Sequence, residues 1–241
     1  MKAIVTGHTK GLGAAIARTL LERGVPVLGL ARGVALDLQA RFPGLLTQVE
    51  VDLGDSTALR AWLASYNLHA WFAGSELALL VNNAGVVSPV GALADQDPGA
   101  VLRSVTLNVA APLALAAAVV RATGGAQQRR ILHISSGAAR NAYPGWSVYC
   151  ATKAALDQHA RAVALDGDDA VRACSLAPGV IDTGMQAEIR ATPDSHFPLR
   201  QRFVDLKAEG ALATPEETGR KIVAYLLDPG FGQKPVDDLR G

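Results

Sequence analysis

The feature that most constrains this chain is a repeated alternation of short apolar runs with alanine-rich helical segments. The apolar runs are continuous, as expected for strands that helices cover on both faces. Repeated strand–helix units predict an α/β protein with a doubly wound, parallel central sheet. The predicted strands are Lys2–Thr6, Pro26–Ala31, Leu46–Asp52, Leu77–Val81, Arg130–Ser135 and Val171–Leu176. The predicted helices are Gly11–Arg23, Ser56–Ser65, Pro98–Ala122, Ser147–Leu165 and Pro215–Leu227.

The domain organisation is expected to be simple. No linker, repeat or low-complexity stretch divides the sequence, so residues 1–241 are predicted to form one domain. Residues 182–213 contain Pro193 and Pro198 and show weak periodicity, which is typical of an excursion that covers a binding site. Two cysteines, Cys150 and Cys174, have neither metal-ligand nor disulfide spacing, so no metal site is expected.

Charge and hydropathy exclude other classes of protein. The net charge is +1 and no basic block is present, which argues against a nucleic-acid partner. The apolar stretch over residues 110–120 contains Pro112 and ends at Arg121, which favours a buried helix over a membrane span. The N-terminal segment is typical of a strand rather than a signal peptide. We therefore expect a cytoplasmic protein without a membrane partner.

A glycine-rich turn, "TGHTKGLG", joins the first predicted strand to the first helix. Gly7, Gly11 and Gly13 allow a tight turn and a close approach of the backbone to a pyrophosphate. The free N–H groups of the helix start also favour an anion. A purely structural turn is the alternative, but the position after the first strand favours a dinucleotide site in a Rossmann fold.

The spacing of these glycines resembles that of the short-chain dehydrogenase/reductase family. Later segments match the family in the same order, including "LLVNNAG", "ILHISSGA", "SVYCATKAAL" and "LAPGVIDTGM". The resemblance implies an oxidoreductase that uses a nicotinamide dinucleotide. It assigns the cofactor site to Gly7, Thr9, Lys10, Gly11, Leu12, Gly13, Arg32, Asp52, Leu53, Asn83, Ala84, Gly85, Tyr149, Lys153, Pro178, Gly179, Ile181 and Thr183.

Two cations indicate which dinucleotide is preferred. In this fold an acidic residue roughly 20 residues past the glycines binds the ribose of NAD. Here Arg32 follows the second predicted strand, and no carboxylate occurs until Asp37. A guanidinium binds a 2′-phosphate bidentately, and Lys10 supplies a second cation. NADP(H) is therefore expected over NAD(H), although both side chains also suit a solvated surface.

Three polar residues in or beside the predicted cofactor site have structural alternatives. The resemblance places Asp52 near the adenine amino group, but a helix cap is also consistent with its position. Asn82 and Asn83 follow a buried strand, where asparagines usually satisfy backbone groups.

Four residues form the predicted catalytic set. Tyr149 and Lys153 are four residues apart and share one helix face. A tyrosine of ordinary pKa, about 10, donates a proton to a developing alkoxide, and a nearby cation stabilises the phenolate. The resemblance assigns Ser136, in preference to Ser135, to the carbonyl oxygen and Asn108 to a water-mediated proton path to Lys153. Without the resemblance, Asn108 would be interpreted as an amide bonded to a local carbonyl.

Within the family, the stretches "GWSVYCATKAAL" and "LRQRFVDLKAEGALATPEET" are similar to sepiapterin reductases and bacterial benzil reductase-like enzymes. The resemblance implies NADPH-dependent reduction of a ketone or vicinal diketone, with pterin reduction as an alternative. Ser136 and Tyr149, with Tyr143 and Trp146 as aromatic walls, form the predicted substrate site; core packing of the two walls is equally consistent. Asp237 matches a pterin-anchoring aspartate, although a solvated tail acid is favoured.

Two further expectations follow from the resemblance. A member of the fold that binds NADPH without turnover is a different class of function, but such proteins would lack part of the catalytic set. A homodimer or homotetramer is expected to form through the helices Pro98–Ala122 and Ser147–Leu165, whose alanine-rich faces suit close packing.

Overall fold

The computed structural model describes residues 1–240, and a parallel sheet runs through the centre of that part of the chain. Its seven strands have the order β3-β2-β1-β4-β5-β6-β7, which confirms the predicted doubly wound Rossmann arrangement. The strands are β1 (Lys2–Thr6), β2 (Val27–Ala31), β3 (Leu46–Glu50), β4 (Leu77–Asn82), β5 (Gln128–Ile134), β6 (Val171–Ala177) and β7 (Val236–Asp238). Six lie within two residues of their predicted bounds. The edge strand β7 was not predicted, because three residues give too short a pattern to recognise.

Helices cover both faces of this sheet. They are α1 (Gly11–Glu22), α2 (Leu36–Arg41), α3 (Ser56–Ser65), α4 (Leu68–Phe72), α5 (Pro98–Val105), α6 (Ala111–Ala122), α7 (Ser147–Val163), α8 (Gly184–Ala191), α9 (Arg200–Ala208) and α10 (Pro215–Leu227). Successive residues of β1 point to opposite faces: Val5 packs with α1 and α10, whereas Ile4 packs with α3, α6 and α7. Continuous apolar strands therefore supply two cores at once.

The long predicted helix Pro98–Ala122 contains an irregularity. A π-helical turn, Thr106–Ala110, separates α5 from α6 and contains Asn108. The length of 25 residues and a mean hydropathy of 1.7 would by themselves suit a membrane span. Instead, Leu115 and Val119 are buried in the core beneath the sheet. The preceding helix α5 is less buried, since Leu102 on it is 69% exposed.

Residues 182–213 form an excursion that leaves and returns at one point. A bridge pairs Ile181 with Ala213, and the Asp182 N–H donates to the Ala213 carbonyl at 2.9 Å. Between these ends lie α8 and α9, which the weak periodicity did not predict. Ile189 and Phe203 from these helices pack in a third apolar cluster with Trp146 and Tyr149. Tertiary burial of a few large side chains therefore holds this excursion against the rest of the molecule.

Candidate active site

A cleft of about 900 Å³ opens at the carboxyl ends of the parallel strands. This is the edge at which doubly wound folds bind ligands. It brings together all but one of the residues predicted for the cofactor, substrate and catalytic sites. The predicted residues that line it are Gly7, Thr9, Lys10, Gly11, Leu12, Gly13, Arg32, Asp52, Leu53, Asn83, Ala84, Gly85, Ser136, Tyr143, Trp146, Tyr149, Lys153, Pro178, Gly179, Ile181 and Thr183.

The glycine turn forms the floor of the cleft between β1 and α1. Gly7 and Gly11 have φ values of 69° and 55°, a region that side chains disfavour. A Cβ on Gly13 would lie 2.1 Å from the Gly7 carbonyl oxygen, so the backbone is too close for any larger residue. No side chain of the described residues caps the first N–H groups of α1. This turn leaves a glycine-lined cradle at a helix N-terminus, which suits a diphosphate.

The asparagines after β4 hold this turn in place. The Asn83 side-chain amide donates to the Thr6 carbonyl at 2.9 Å, and the Thr6 hydroxyl accepts from the backbone N–H groups of Asn83 and Ala84 at 2.9 Å each. Asn82 is buried and its amide lies 3.1 Å from His133 Nδ1. Both asparagines thus make structural hydrogen bonds, while Asn83 also lines the cleft.

The end of the cleft that is predicted to bind the nucleotide, the nucleotide end, is rich in exposed charge. Lys10 and Arg32 are both exposed side chains at the cleft wall. Asp52 accepts from the Gly54 N–H at 2.8 Å and from Arg103 Nη2 at 3.1 Å. Burial acts to raise the pKa of Asp52, but these two donors outweigh it and hold the pKa below its usual value. The helix-cap alternative for Asp52 is wrong, because Asp55 caps α3.

Asn108 is the predicted site residue that does not line the cleft. It is 1% exposed and lies directly behind the cleft wall. Its Oδ1 accepts from the Val86 N–H at 3.0 Å, and its Nδ2 donates to the Val86 carbonyl at 2.8 Å. Nδ2 also lies 3.2 Å from the Thr152 hydroxyl on α7. The alternative of a bond to a local carbonyl is therefore wrong, because the carbonyl is 22 residues away in sequence. The π-helical turn directs this amide towards the strand end and α7.

Tyr149 and Lys153 lie on one face of α7, as their spacing predicted, and are 7% and 5% exposed. Lys153 Nζ lies 5.7 Å from the Tyr149 ring centroid and donates to the Ile134 carbonyl at 2.8 Å. Burial raises the pKa of Tyr149 to about 12, against the opposing effect of a Ser136 hydrogen bond. This is above the value near 10 expected from the sequence, because burial disfavours the phenolate.

The pKa of Lys153 shifts in the opposite direction to that of Tyr149. Burial lowers its pKa to about 8, while the Asp157 carboxylate acts to raise it. At neutral pH the phenol therefore keeps its proton and most of the lysine is charged. A neutral phenol next to an ammonium and a serine hydroxyl is suited to give a proton to a substrate oxygen.

Aromatic side chains close the other end of the cleft. Trp146 is 4% exposed and stacks on Phe197, with centroids 4.5 Å apart and planes 11° apart. Its ring also meets the edge of Tyr149 at 5.4 Å and contacts Tyr143 at 5.4 Å. Tyr143 and Trp146 therefore pack in an apolar cluster and also line the cleft.

Asp237 is neither a solvated tail acid nor a residue of the cleft lining. It belongs to β7, and its Oδ2 accepts from the Tyr225 hydroxyl at 3.0 Å. The prediction of a solvated tail acid is wrong, because β7 pairs with β6, and this contact joins residues that are far apart in the sequence. The same strand brings Arg240 to the cleft wall beside Gly179. Arg240 and Arg103 also line the cleft and were not predicted, because no local motif marks either of them.

Similarity to known proteins agrees with this geometry. A family model described as "short chain dehydrogenase" matches residues 1–194. Benzil reductase ((S)-benzoin forming) of Bacillus cereus is 32% identical, over 97% of this chain and 96% of its own length. Sepiapterin reductase of Bos taurus is 31% identical, over 95% of this chain and 90% of its own length.

A solved short-chain dehydrogenase/reductase from Burkholderia vietnamiensis shares 49% of its residues with this chain. It has a TM-score of 0.73 and covers all of this chain, which covers 97% of it. Glycine turn, sheet order, cleft and sequence similarity lead to one conclusion: the chain belongs to the short-chain dehydrogenase family of oxidoreductases.

Proposed function

We propose that the protein is an NADPH-dependent carbonyl reductase that converts a ketone or vicinal diketone, benzil-like or aromatic, to an alcohol. The observation that carries this proposal is the placement of Ser136, Tyr149 and Lys153 between a glycine-lined cradle and an aromatic wall. The similarity to the two named reductases supports the same reaction class.

The residues of the cleft fit a nicotinamide dinucleotide. The cradle of Gly7, Gly11 and Gly13 would hold the diphosphate at the start of α1. Arg32 and Lys10 would bind the 2′-phosphate, and their positions at the wall favour NADPH over NADH. The remaining predicted contacts fall into three groups along the dinucleotide. Asp52 and Leu53 lie at the adenine. The central part of the dinucleotide is contacted by Asn83, Ala84, Gly85, Tyr149 and Lys153, and the nicotinamide by Pro178, Gly179, Ile181 and Thr183.

When bound, this cofactor would supply the hydride that reduces the substrate carbonyl carbon. Tyr149 acts as the general acid: its hydroxyl gives a proton to the substrate oxygen as negative charge develops there. Ser136 donates a hydrogen bond to the same oxygen and stabilises that charge. The Lys153 ammonium stabilises the resulting phenolate and contacts the cofactor ribose. Asn108 supports the reprotonation of Lys153 from behind the cleft wall.

The substrate enters a pocket suited to a planar aromatic group. Tyr143 and Trp146 form one wall, and Phe203 from α9 lies among the cleft-lining residues. Stacking on such rings favours aromatic ketones and diketones. A pterin substrate has less support, because the Asp237 carboxylate is bonded to Tyr225 rather than directed into the cleft.

We also propose roles for the segment 182–213 and for an interface between copies of this chain. The chain acts as one domain in which residues 182–213 cover the substrate. It forms a homodimer or homotetramer through the faces of α5, α6 and α7, where Leu102 and Val105 are exposed. Such an enzyme acts in the cytoplasm on a small molecule, without nucleic acid, membrane or metal.

Oxidation of NADPH, followed over a panel of carbonyl compounds, tests the proposal. The panel contains benzil and other diketones, quinones, pterins and simple ketones, each assayed with NADPH and NADH. We expect the fastest turnover with an aromatic diketone and NADPH. Tight NADPH binding without turnover of any carbonyl would contradict the proposal and favour a regulatory protein of this fold.

A further inference from the structure

A buried carboxylate lies one helical turn beyond Lys153 and has no role in the reaction described above. Asp157 is 1% exposed and belongs to the same face of α7 as Tyr149 and Lys153. It is not part of the cleft lining. A carboxylate in an apolar interior is costly unless it is paired and hydrogen-bonded, so its contacts indicate its role.

Three donors from different elements converge on this carboxylate. The Ser135 and Ser175 hydroxyls each donate to its Oδ1 at 2.7 Å. The Arg140 Nε lies 3.3 Å from its Oδ2. Ser135 directly precedes the predicted catalytic Ser136, and Ser175 belongs to β6. The side chain therefore joins α7 to the strand ends that carry the active site.

The other ionisable groups around Lys153 provide no comparable anion. His133 approaches from β5, and burial lowers its pKa to about 3, so it is neutral. Tyr149 keeps its proton at neutral pH. The Cys174 thiol on β6 is also neutral, since burial raises its pKa to about 11. Arg140 is the cation that faces Asp157 from the loop before α7, and it is also bonded to the Asp237 carbonyl at 2.9 Å.

We propose that Asp157 is a positioning residue that holds Lys153 as an ammonium beside Tyr149 and fixes the Ser135–Ser136 turn. Its negative charge offsets part of the cost of burying the ammonium, and its two serine bonds orient the strand end. It acts through Lys153 and Ser136, because it does not reach the cleft itself. This inference rests on the proposed function.

The titration of Lys153 tests the charge effect directly. Protein labelled with ¹³C at the lysine Cε is titrated by NMR, and the Lys153 signal is identified by its loss in Lys153→Arg. We expect Asp157→Asn to lower the titration midpoint by about one pH unit, because the nearby opposite charge is removed. Asp157→Glu keeps the charge and should restore most of the shift. Ser175→Ala is the matched control: it removes one hydrogen bond but no charge, so the midpoint should stay close to that of the wild type.

An unchanged midpoint in folded Asp157→Asn would overturn the proposal. If that variant does not fold, Arg140→Gln provides the second test. Arg140 is partly exposed, and loss of its charge should raise the Lys153 midpoint. A midpoint in Arg140→Gln that is unchanged or lower would also overturn the proposal.

The rate of carbonyl reduction gives an independent readout. In Asp157→Asn the alkaline fall in kcat should move to lower pH by the same amount as the NMR midpoint. A uniform loss of rate at every pH would contradict the charge effect and indicate a purely structural role. If the wild type reduces no carbonyl, the proposed function fails, whereas the NMR titration still decides whether Asp157 controls Lys153.

Discussion

The two ends of the cleft differ in how far their ionisable side chains are exposed to solvent. At the nucleotide end the charges are exposed: the Arg103 and Asp52 side chains are 61% and 33% exposed, although they form an ion pair. At the catalytic end Tyr149, Lys153 and Asp157 are almost fully buried. Solvent screens the first group, whereas burial shifts the pKa values of Tyr149 and Lys153 in the second. The nucleotide end should therefore respond to single charges and to salt, and the catalytic end should respond as a coupled unit.

The largest expected effect is at the catalytic end. Tyr149→Phe removes the acidic proton but keeps the ring that packs on Trp146. Carbonyl reduction should fall by about 10²-fold or more, the scale of general acid catalysis, while the NADPH dissociation constant stays close to that of the wild type. Turnover assays and a fluorescence titration with NADPH measure the two quantities. Tyr143→Phe removes a hydroxyl from the same wall and is the control. Turnover of Tyr149→Phe at the wild-type rate would refute the assigned acid.

A substitution in the glycine-lined cradle should affect cofactor binding more than the chemical step. Gly13→Ala puts a Cβ 2.1 Å from the Gly7 carbonyl, so the turn must move. We expect NADPH affinity to fall by about tenfold or more. The free energy of unfolding should fall by about 1–3 kcal/mol, the usual cost of overpacking. Calorimetric titration and thermal unfolding measure these changes. Gly124→Ala is the control, because no atom lies within 4 Å of its added Cβ. Equal behaviour of the two variants would argue against the tight turn.

A single charge at the nucleotide end should change cofactor preference. Arg32→Ala should weaken NADPH binding by about tenfold, as expected for loss of a charge-assisted hydrogen bond, and leave NADH binding unchanged. Dissociation constants for both cofactors at low and high salt measure this effect. Because Arg32 is exposed, added salt should also reduce the wild-type preference. Arg121→Ala, an exposed arginine at the end of α6, should change neither constant. Equal weakening of NADPH and NADH binding in Arg32→Ala would contradict the assignment.

The smallest effect expected is a pH dependence that separates the two ends. The pKa of Lys153 is lowered to about 8, so the ammonium is lost as pH rises through that value. Carbonyl reduction should fall about twofold between pH 7 and pH 8, with a further decline above it. NADPH affinity should change little over this range, because it is expected to depend on Arg32 at the other end of the cleft. Rate and affinity measured across pH 6–10 compare the two, and a flat rate profile would count against a charged Lys153.

Local residue patterns were sufficient for much of the fold and of the site. Continuous apolar runs predicted six strands, and the glycine turn and the spacing of Tyr149 and Lys153 each lie within one short segment. In contrast, α8 and α9 were missed, because their stability comes from packing Ile189 and Phe203 on Trp146. β7 was missed for a similar reason, since its three residues are recognisable only beside β6.

The sequence by itself determined six strands and five helical segments in their order, the flexible positions of the glycine turn, and which side chains share a face of α7. These properties depend on backbone conformation and on residues within about one helical turn of each other. Tertiary structure alone decided three sets of hydrogen bonds. The Asn108 amide bonds to the Val86 backbone, Asp237 accepts from the Tyr225 hydroxyl, and Asp157 accepts from the hydroxyls of two serines. It also decided the pKa values of Tyr149 and Lys153. Burial and partners that are distant along the chain set these properties, and no local pattern contains them.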